Sequence, residues 1–211
     1  GKLYAPYLID SSKMIYMDEA SAELTKYANN SFLTMKISFM NEIANVCERV
    51  GADVDSVREA IGADSRIGPH FLYAGIGYGG SCFPKDVMAL HEAAAQEGYN
   101  FKILDAVMDV NKRQKQVLVA KIVDHFGDNL KGRTFGMWGL AFKPDTDDIR
   151  EAPSLPIINA LLSKGAEVQV YDPEAMENVR EQLGNAITYA DDAHAGHDDT
   201  DGGGLGVRES N

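Results

Sequence analysis

The sequence predicts an α-helical middle domain followed by a partial α/β domain with a parallel sheet. Through residues 18–128, apolar residues recur every three or four positions, which is the spacing of one helix face. After about residue 131, short apolar segments typical of buried strands alternate with helical segments. This alternation builds a doubly wound parallel sheet. The sequence supplies three such strands, so we expect an incomplete sheet with one edge unpaired.

Composition argues against several classes of protein. The chain has 211 residues, of which 45% are hydrophobic and 25% are charged, as in ordinary globular proteins. A formal net charge of −12 argues against nucleic-acid binding, which needs clustered Lys and Arg. No apolar segment approaches the roughly 18 residues that a membrane helix needs. We therefore expect a cytoplasmic protein with neither nucleic acid nor membrane as a partner.

Cysteine and histidine indicate neither a disulfide framework nor a metal site. The two cysteines form no C-x-x-C pair, and the histidines form no H-E-x-x-H pattern. Cys47 lies among apolar residues of a helical segment, where core packing is the expected role. We therefore expect reduced thiols and no bound metal.

The first helical segment is unusually long. Residues 18–50 carry one apolar stripe, with Asp18 as a candidate N-cap and Gly51 as a left-handed stop. A helix of this length spans about 45–50 Å, which exceeds the needs of a small domain. Such helices usually span a scaffold or pack on a second chain. A short helix over residues 53–61 is predicted next.

A long loop interrupts the helices. Residues 63–85 contain five glycines and two prolines but also several aromatic residues, which disfavours disorder. Loops of this length without periodicity are usually functional when they are ordered. We interpret this segment as an ordered binding loop. Helices over residues 86–97 and 101–126 are predicted to follow it.

The pattern changes again in the last third of the chain. Residues 133–140, 166–171 and 186–189 are predicted to be buried strands, with intervening helices that begin near Pro153 and Pro173. Beyond residue 193 the sequence has no periodic pattern and is rich in Gly and Asp. This tail is either naturally disordered or aberrant.

The segment from Gly77 to Asp86 contains the residues best suited to catalysis. Its glycines let the backbone approach a ligand, and the thiol of Cys82 stands just before a predicted helix. A helix N-terminus and a nearby ammonium, here Lys85, favour a thiolate, which attacks aldehyde or acyl carbon. The alternative is a small buried cysteine, with Asp86 as a helix-capping acid.

Two polar residues lie on one face of the long helix. Lys26 and Asn30 are four positions apart, close to its apolar stripe. Side chains of these types could donate hydrogen bonds to a developing oxyanion. The alternative is a solvated lysine at the border of the helix.

The turn after the first predicted strand is a second candidate site. Residues 139–151 lie where an open parallel sheet binds ligands, and Lys143 and Arg150 could bind phosphate. This turn has no G-x-G-x-x-G pattern, so a standard dinucleotide site is not indicated here. The alternative is a charged surface loop.

Three segments together resemble a known family. They are residues 23–30 (ELTKYANN), residues 64–86, and residues 139–154. The second segment contains Cys82 and a glycine-rich stretch over residues 73–79, here called the glycine loop. In this order and with these separations they resemble the nucleotide-sugar 6-dehydrogenases of the UDP-glucose/GDP-mannose dehydrogenase family. The resemblance runs from about residue 3 to residue 193.

The resemblance implies a division of the chain. The family joins an N-terminal NAD-binding domain, a helical central domain that forms the dimer, and a Rossmann-like UDP-binding domain. Residues 1–17 would then be a linker from the NAD-binding domain, and residues 18–128 the central dimerisation domain. Residues 129–192 would be a truncated UDP-sugar-binding domain, before an aberrant or disordered tail over 193–211. We accordingly expect these 211 residues to be inactive alone.

The resemblance also implies a reaction and its catalytic residues. The family oxidises the C6 alcohol of a nucleotide sugar to a carboxylate in two hydride transfers, with NAD as the cofactor. Cys82 matches the nucleophile, which forms a thiohemiacetal and then a thioester with the sugar. Lys26 and Asn30 match the pair that orders water and stabilises the oxygen anion. Asp86 matches the carboxylate that supports water and proton transfers.

Binding residues follow from the same match. Arg66 matches a residue that reaches the substrate across the dimer interface, and Lys85 and Arg150 match contacts to NAD. The other implied substrate-binding residues are Phe71, Tyr73, Ala74, Gly75, Ile76, Gly77, Tyr78, Gly79, Phe142 and Lys143.

The residues around the cysteine favour the UDP-glucose branch of the family. Its product, UDP-glucuronate, is a precursor for polysaccharide synthesis. GDP-mannose is the alternative substrate. A second alternative is a dimerising, nucleotide-sugar-binding module without catalysis. A cysteine hydrolase fits less well, because no histidine is placed as an obvious partner for Cys82.

Overall fold

The computed structural model describes residues 14–193 and the backbone of residues 205–206. Most of the predicted linker over residues 1–17 and most of the predicted tail over 193–211 therefore lie outside the described residues. Within the described part, a helical region is followed by a parallel sheet with helices packed on it. The predicted fold class is confirmed.

The first helix is the longest element. Helix α1 (Glu19–Val50) begins after Asp18, whose carboxylate accepts a hydrogen bond of 2.9 Å from the Ser21 N–H. It ends at Gly51, which adopts the left-handed conformation with φ 73°. Both predicted ends are correct, because capping depends on residues next to each other in sequence.

Three further helices complete the helical region. They are α2 (Val54–Gly62), α3 (Phe83–Gln96) and α4 (Lys102–Phe126), and α1 packs against all three. Helix α3 begins at Phe83, earlier than the predicted residue 86. Pro84 is compatible with this start, because a helix tolerates proline in its first turn, where the missing N–H would have no intrahelical partner.

The second region is a parallel sheet with helices on it. Strands β1 (Thr134–Trp138), β2 (Glu167–Tyr171) and β3 (Thr188–Tyr189) pair in sequence order, with Phe135 opposite Val168. The intervening helices are α5 (Ser154–Ser163) and α6 (Met176–Leu183).

One expectation about the sheet is wrong. The short strand β4 (Leu205–Gly206) pairs in parallel with Met137 and Trp138, on the side of β1 opposite β2. The edge of β1 is therefore covered at these two residues. Their backbone hydrogen-bonding groups find a partner where the sequence pattern indicated none.

The main hydrophobic core joins the two regions. Its fully buried side chains include Val170 of β2 and Ile157 and Ile158 of α5. They belong to the same cluster as Val119 and Ile122 of α4. Helix α4 thus runs from the helical region into the core of the sheet domain. This shared helix fixes the long loop over residues 63–82 between the two regions.

Candidate functional site

A carboxylate from α3 meets two donors from α1. Lys26 Nζ lies 2.6 Å from both carboxylate oxygens of Asp86, and Asn30 Nδ2 donates to Asp86 Oδ2 at 2.6 Å. Lys85 Nζ lies 3.4 Å from Asp86 Oδ1. The Asp86 side chain is 0% exposed and that of Lys26 is 51% exposed. The structure therefore brings together three of the four predicted catalytic residues, with the lysine open to solvent.

The charges of this cluster stabilise one another. Burial raises the pKa of Asp86, but the hydrogen bonds from Lys26 and Asn30 and the nearby lysine charges outweigh it, so the pKa lies below its ordinary value. The hydrogen bond to Asp86 raises the pKa of Lys26. At neutral pH the pair is therefore a carboxylate and an ammonium.

Cys82 stands at the start of α3. It occupies the N-cap position, and its carbonyl oxygen accepts a hydrogen bond of 2.8 Å from the Asp86 N–H. The residue is exposed, and its Sγ lies 3.8 Å from Ser81 Oγ. The first turn of α3 therefore carries both the thiol and the buried carboxylate, with the positive end of the helix at the thiol.

The thiol opens onto a cavity of about 500 Å³ between the glycine loop and the turn after β1. This volume falls in the range of ordinary small-molecule sites. Ten of the eleven substrate-binding residues expected from the sequence line it: Phe71, Tyr73, Ala74, Gly75, Ile76, Gly77, Tyr78, Gly79, Phe142 and Lys143. Ile37 and Asn41 of α1 also line it and were missed by the sequence analysis.

The aromatic side chains of the cavity are held by neighbours. Burial raises the pKa of Tyr78 to about 12, so this side chain stays neutral. Its ring contacts Phe83 edge to face at 6.1 Å. The guanidinium of Arg58 lies 5.2 Å from the ring centre of Tyr73. The walls therefore combine fixed aromatic surface with backbone groups of the loop.

Two glycines allow the loop to touch the sheet domain. A Cβ atom at Gly79 would lie 2.3 Å from the carbonyl oxygen of Glu151, and one at Gly80 would lie 2.6 Å from the Phe142 ring. Gly80 N–H also donates to the Arg150 carbonyl at 2.8 Å. Any larger side chain at Gly79 would separate the two walls of the cavity.

Side chains of two helices hold the backbone of the loop. Asn111 Oδ1 accepts from the Tyr78 N–H at 2.8 Å, and Asn111 Nδ2 donates to the Tyr78 carbonyl at 3.1 Å. Asn41 Oδ1 accepts from the Gly75 N–H, and Gln114 Nε2 donates to the Gly75 carbonyl, both at 2.7 Å. Sequence reasoning missed these residues. The available signal was the asparagines inside predicted helices, because asparagine is a weak helix former; Gln114 gave no such signal.

The turn after β1 is fixed by a buried acid. Asp172 accepts hydrogen bonds from the N–H groups of Leu140 and Ala141, at 2.7 and 3.3 Å. Ser154 Oγ donates to the Leu140 carbonyl at 2.7 Å. These bonds place Phe142 and Lys143 at the cavity, at the carboxyl end of β1 where parallel sheets bind ligands.

Three predicted binding residues lie outside the cavity wall. Arg66 is 86% exposed and pairs with Asp64, and Arg150 is 68% exposed and pairs with Asp148. The hydrogen bond to Asp148 raises the pKa of Arg150. Lys85 is also exposed. Within this single chain the structure does not bring Arg66 to the cavity.

Sequence comparison assigns both regions of the chain to one family. Residues 20–113 match the central domain of the UDP-glucose/GDP-mannose dehydrogenase family, and residues 136–202 match the UDP binding domain of that family. The chain belongs to the UDP-glucose/GDP-mannose dehydrogenase family. The first match ends within α4 and the second begins within β1, so the unmatched segment between them includes the junction of the helical region and the sheet.

Individual relatives support the same assignment. The UDP-glucose 6-dehydrogenase of Pseudomonas aeruginosa is 50% identical over 189 residues, which cover 90% of this chain and 42% of that dehydrogenase. A solved UDP-glucose dehydrogenase from Pyrobaculum islandicum superposes with a TM-score of 0.84 at 42% identity, covering 95% of this chain and 47% of that one. The chain therefore spans less than half the length of these dehydrogenases.

A third similar structure belongs to the GDP-mannose branch of the family. A structure of GDP-mannose dehydrogenase from Pseudomonas aeruginosa superposes with a TM-score of 0.54 at 30% identity, covering 83% of this chain and 42% of that one. Both the structural and the sequence similarity are thus higher for the UDP-glucose dehydrogenase above.

Within residues 14–193, no group of three or more His, Cys, Asp or Glu side chains is arranged to hold a metal ion. No helix among those residues is both long and apolar enough to cross a membrane.

Proposed function

We propose that the chain is the central and UDP-sugar-binding part of a UDP-glucose 6-dehydrogenase, which oxidises UDP-glucose to UDP-glucuronate. The observation that carries this proposal is the position of Cys82, which lines the cavity and begins the helix turn that carries the Lys26–Asn30–Asp86 cluster. On this proposal, residues 18–128 form the central dimerisation unit and residues 129–192 the UDP-sugar-binding unit.

The residues have complementary roles in this reaction. The C6 alcohol would first lose a hydride and a proton to become an aldehyde. The Cys82 thiolate then adds to this aldehyde, so that a sulfur–carbon bond forms and the carbonyl electrons move to oxygen. The protonated Lys26 and the Asn30 amide stabilise this oxyanion. Oxidation of the adduct gives a thioester, and water then releases the carboxylate and the thiol. Asp86 keeps Lys26 charged and in place, and assists the water and proton transfers.

The cofactor proposed for both oxidations is NAD⁺, which accepts one hydride in each when it is bound. The exposed cations Lys85 and Arg150 suit the diphosphate of such a cofactor, because both lie near Cys82 without belonging to the cavity wall. Gly75, Gly77 and Gly80 have the G-x-G-x-x-G spacing of a dinucleotide-binding motif, but that motif follows a strand, and no strand precedes these glycines in the described residues. For the 211 residues by themselves we therefore expect sugar-nucleotide binding without turnover.

Homodimerisation through α1 is part of the proposal. Large apolar side chains of this helix are exposed in the single chain, namely Leu24, Phe32, Phe39, Val46 and Val50. Three of them, Phe32, Phe39 and Val46, are seven residues apart and so lie along one face. Lys36 Nζ donates to the Ile67 carbonyl at 3.1 Å, which holds the loop of Arg66 beside this helix. Arg66 would then act on the substrate bound to the partner subunit.

GDP-mannose dehydrogenase remains the alternative activity within the family, and its lower identity and TM-score disfavour it. The non-catalytic, dimerising sugar-nucleotide module differs from the proposal only in lacking turnover. The cytoplasmic location and the supply of a polysaccharide precursor remain predictions that follow from the UDP-glucose activity.

Separate measurements of ligand binding and of the covalent step test this function. Calorimetric titration of the chain with UDP-glucose and GDP-mannose is expected to show preferential binding of UDP-glucose. In the dehydrogenase that contains this chain, Cys82→Ser should lower the rate of UDP-glucuronate formation at least about 1000-fold, because the hydroxyl is a far weaker nucleophile, while UDP-glucose affinity changes little. Cys47→Ser, in the buried core, is the matched control. Normal turnover by Cys82→Ser would refute the covalent role.

A further inference from the structure

The side chains that hold the glycine loop suggest a role in binding. We define the carboxamide clamp as Asn41, Asn111 and Gln114, which bond to the backbone of Gly75 and Tyr78. We propose that Asn111 and Gln114 are positioning residues, which hold the glycine loop before the ligand arrives in the shape that receives the sugar nucleotide. The inference rests on the proposed function, because its ligand is the one proposed there.

Asn111 forms hydrogen bonds with both backbone groups of one loop residue, Tyr78. Its Oδ1 accepts from the Tyr78 N–H at 2.8 Å and its Nδ2 donates to the Tyr78 carbonyl at 3.1 Å. The two bonds fix which end of the carboxamide is oxygen, since only oxygen accepts from an N–H group. A pair of bonds to one residue restrains its orientation as well as its position.

Gln114 holds the loop at a second point. Its Nε2 donates to the Gly75 carbonyl at 2.7 Å, and its own Oε1 accepts from Asn45 Nδ2 at 2.9 Å. Asn41 Oδ1 accepts from the Gly75 N–H at 2.7 Å. Gly75 and Tyr78 are therefore held from α1 and α4 on either side of Gly77, whose φ of 106° makes the turn.

The clamp is buried and closely packed. Asn111 and Gln114 are each 7% exposed. A Cβ atom at Gly77 would lie 3.0 Å from Asn111 Oδ1 and 3.1 Å from Lys115 Cγ, so the loop lies directly on α4. The hydrogen bonds are thus shielded from water, which would otherwise compete for the same backbone groups.

Two physical reasons connect the clamp to ligand binding. No helix or strand lies between α2 and α3, so the backbone of the loop depends on side chains for its order. A loop that is ordered beforehand spares the ligand the entropy of ordering it. Carboxamides are also neutral, so they hold the loop without placing a charge that would repel or compete for an anionic diphosphate.

The first test compares Asn111→Ala with a control on the same helix. In the 211-residue chain we expect Asn111→Ala to weaken UDP-glucose binding about 10-fold, measured as the Kd by calorimetry, because both Tyr78 bonds are lost. Val119→Ala, a buried position of α4 in the core away from the loop, should lower the thermal midpoint and leave the Kd unchanged. Unchanged binding by Asn111→Ala, or equal weakening by Val119→Ala, would overturn the positioning role.

A second measurement tests, without any ligand, whether the clamp orders the loop. Hydrogen exchange of the Tyr78 amide should accelerate about 10-fold or more in Asn111→Ala. In Val119→Ala it should stay slow, because both bonds from Asn111 to Tyr78 remain. An unchanged Tyr78 exchange rate in Asn111→Ala would overturn the inference. If wild-type protein fails to bind UDP-glucose, the proposed function fails, and the exchange result still establishes or excludes the clamp.

Discussion

Two glycines of the glycine loop have opposite surroundings. A Cβ atom at Gly79 would lie 2.3 Å from the Glu151 carbonyl oxygen, whereas one at Gly75 would meet nothing within 4 Å. Gly79→Ala is therefore expected to lower the free energy of unfolding by about 1–3 kcal/mol. Gly75→Ala should change it by no more than about 0.5 kcal/mol. Urea unfolding of both variants measures the difference, and equal losses would contradict the close approach at Gly79.

The buried carboxylate of Asp86 makes stability depend on pH. Its folded-state pKa lies below the ordinary value of 3.8, so its contribution is present above that pH and is lost as pH falls through the folded pKa. The difference in unfolding free energy between wild type and Asp86→Asn should therefore shrink as pH falls from 7 toward 3. Urea unfolding across this range tests it, with Glu97→Gln, an exposed acid after α3, as control. A difference that grows toward low pH would contradict the ion pair.

At the residue scale, the sequence indicated side-chain chemistry but not partners. Cys82 and Asp86 share the first turn of one helix, so their proximity follows from helical spacing. The bonds from Lys26 and Asn30 to Asp86 join positions 60 and 56 residues apart. No local periodicity contains such a contact, and the family resemblance gave roles for these residues without the bonds between them. The carboxamide clamp was missed for the same physical reason.

At the element scale, local signals placed the helix ends with different success. The ends of α1 follow from the capping of Asp18 and the left-handed Gly51, which are decided within a few residues. The start of α3 was predicted at residue 86 but lies at Phe83. Proline indicated a loop there, yet a proline in the first helical turn loses no intrahelical hydrogen bond. A proline can therefore lie in a loop or in the first turn of a helix, and only the folded structure distinguishes the two.

The apolar stripe of α1 carries the prediction that belongs to this scale. The double variant Phe32→Glu/Phe39→Glu should convert a dimer into a monomer, because it places charges in the centre of the proposed interface. Ile103→Glu, an equally exposed apolar position on α4, should leave the dimer intact. Light scattering after size exclusion measures the mass of each. A monomeric wild type, or a dimer that survives the double substitution, would contradict the interface.

At the scale of the whole molecule, one helix couples two regions. Helix α4 supplies Val119 and Ile122 to the core of the sheet domain, and Asn111 and Gln114 to the glycine loop. The cavity wall is built from both regions, since the loop meets Phe142 and Glu151. Its shape therefore depends on the relative position of the helical region and the sheet, which α4 fixes.

The sequence by itself determined the order of elements, the fold class and the types of residue at the site. These properties depend on periodicity and capping, which act over a few residues, and on segments whose spacing is typical of the family. Only the tertiary structure decided that Lys26 is held by a buried Asp86, that Gly79 lies against Glu151, and that the three carboxamides of the clamp hold the glycine loop from two helices. Those contacts depend on how helices pack across long separations in sequence, where side-chain geometry rather than local preference selects the partner.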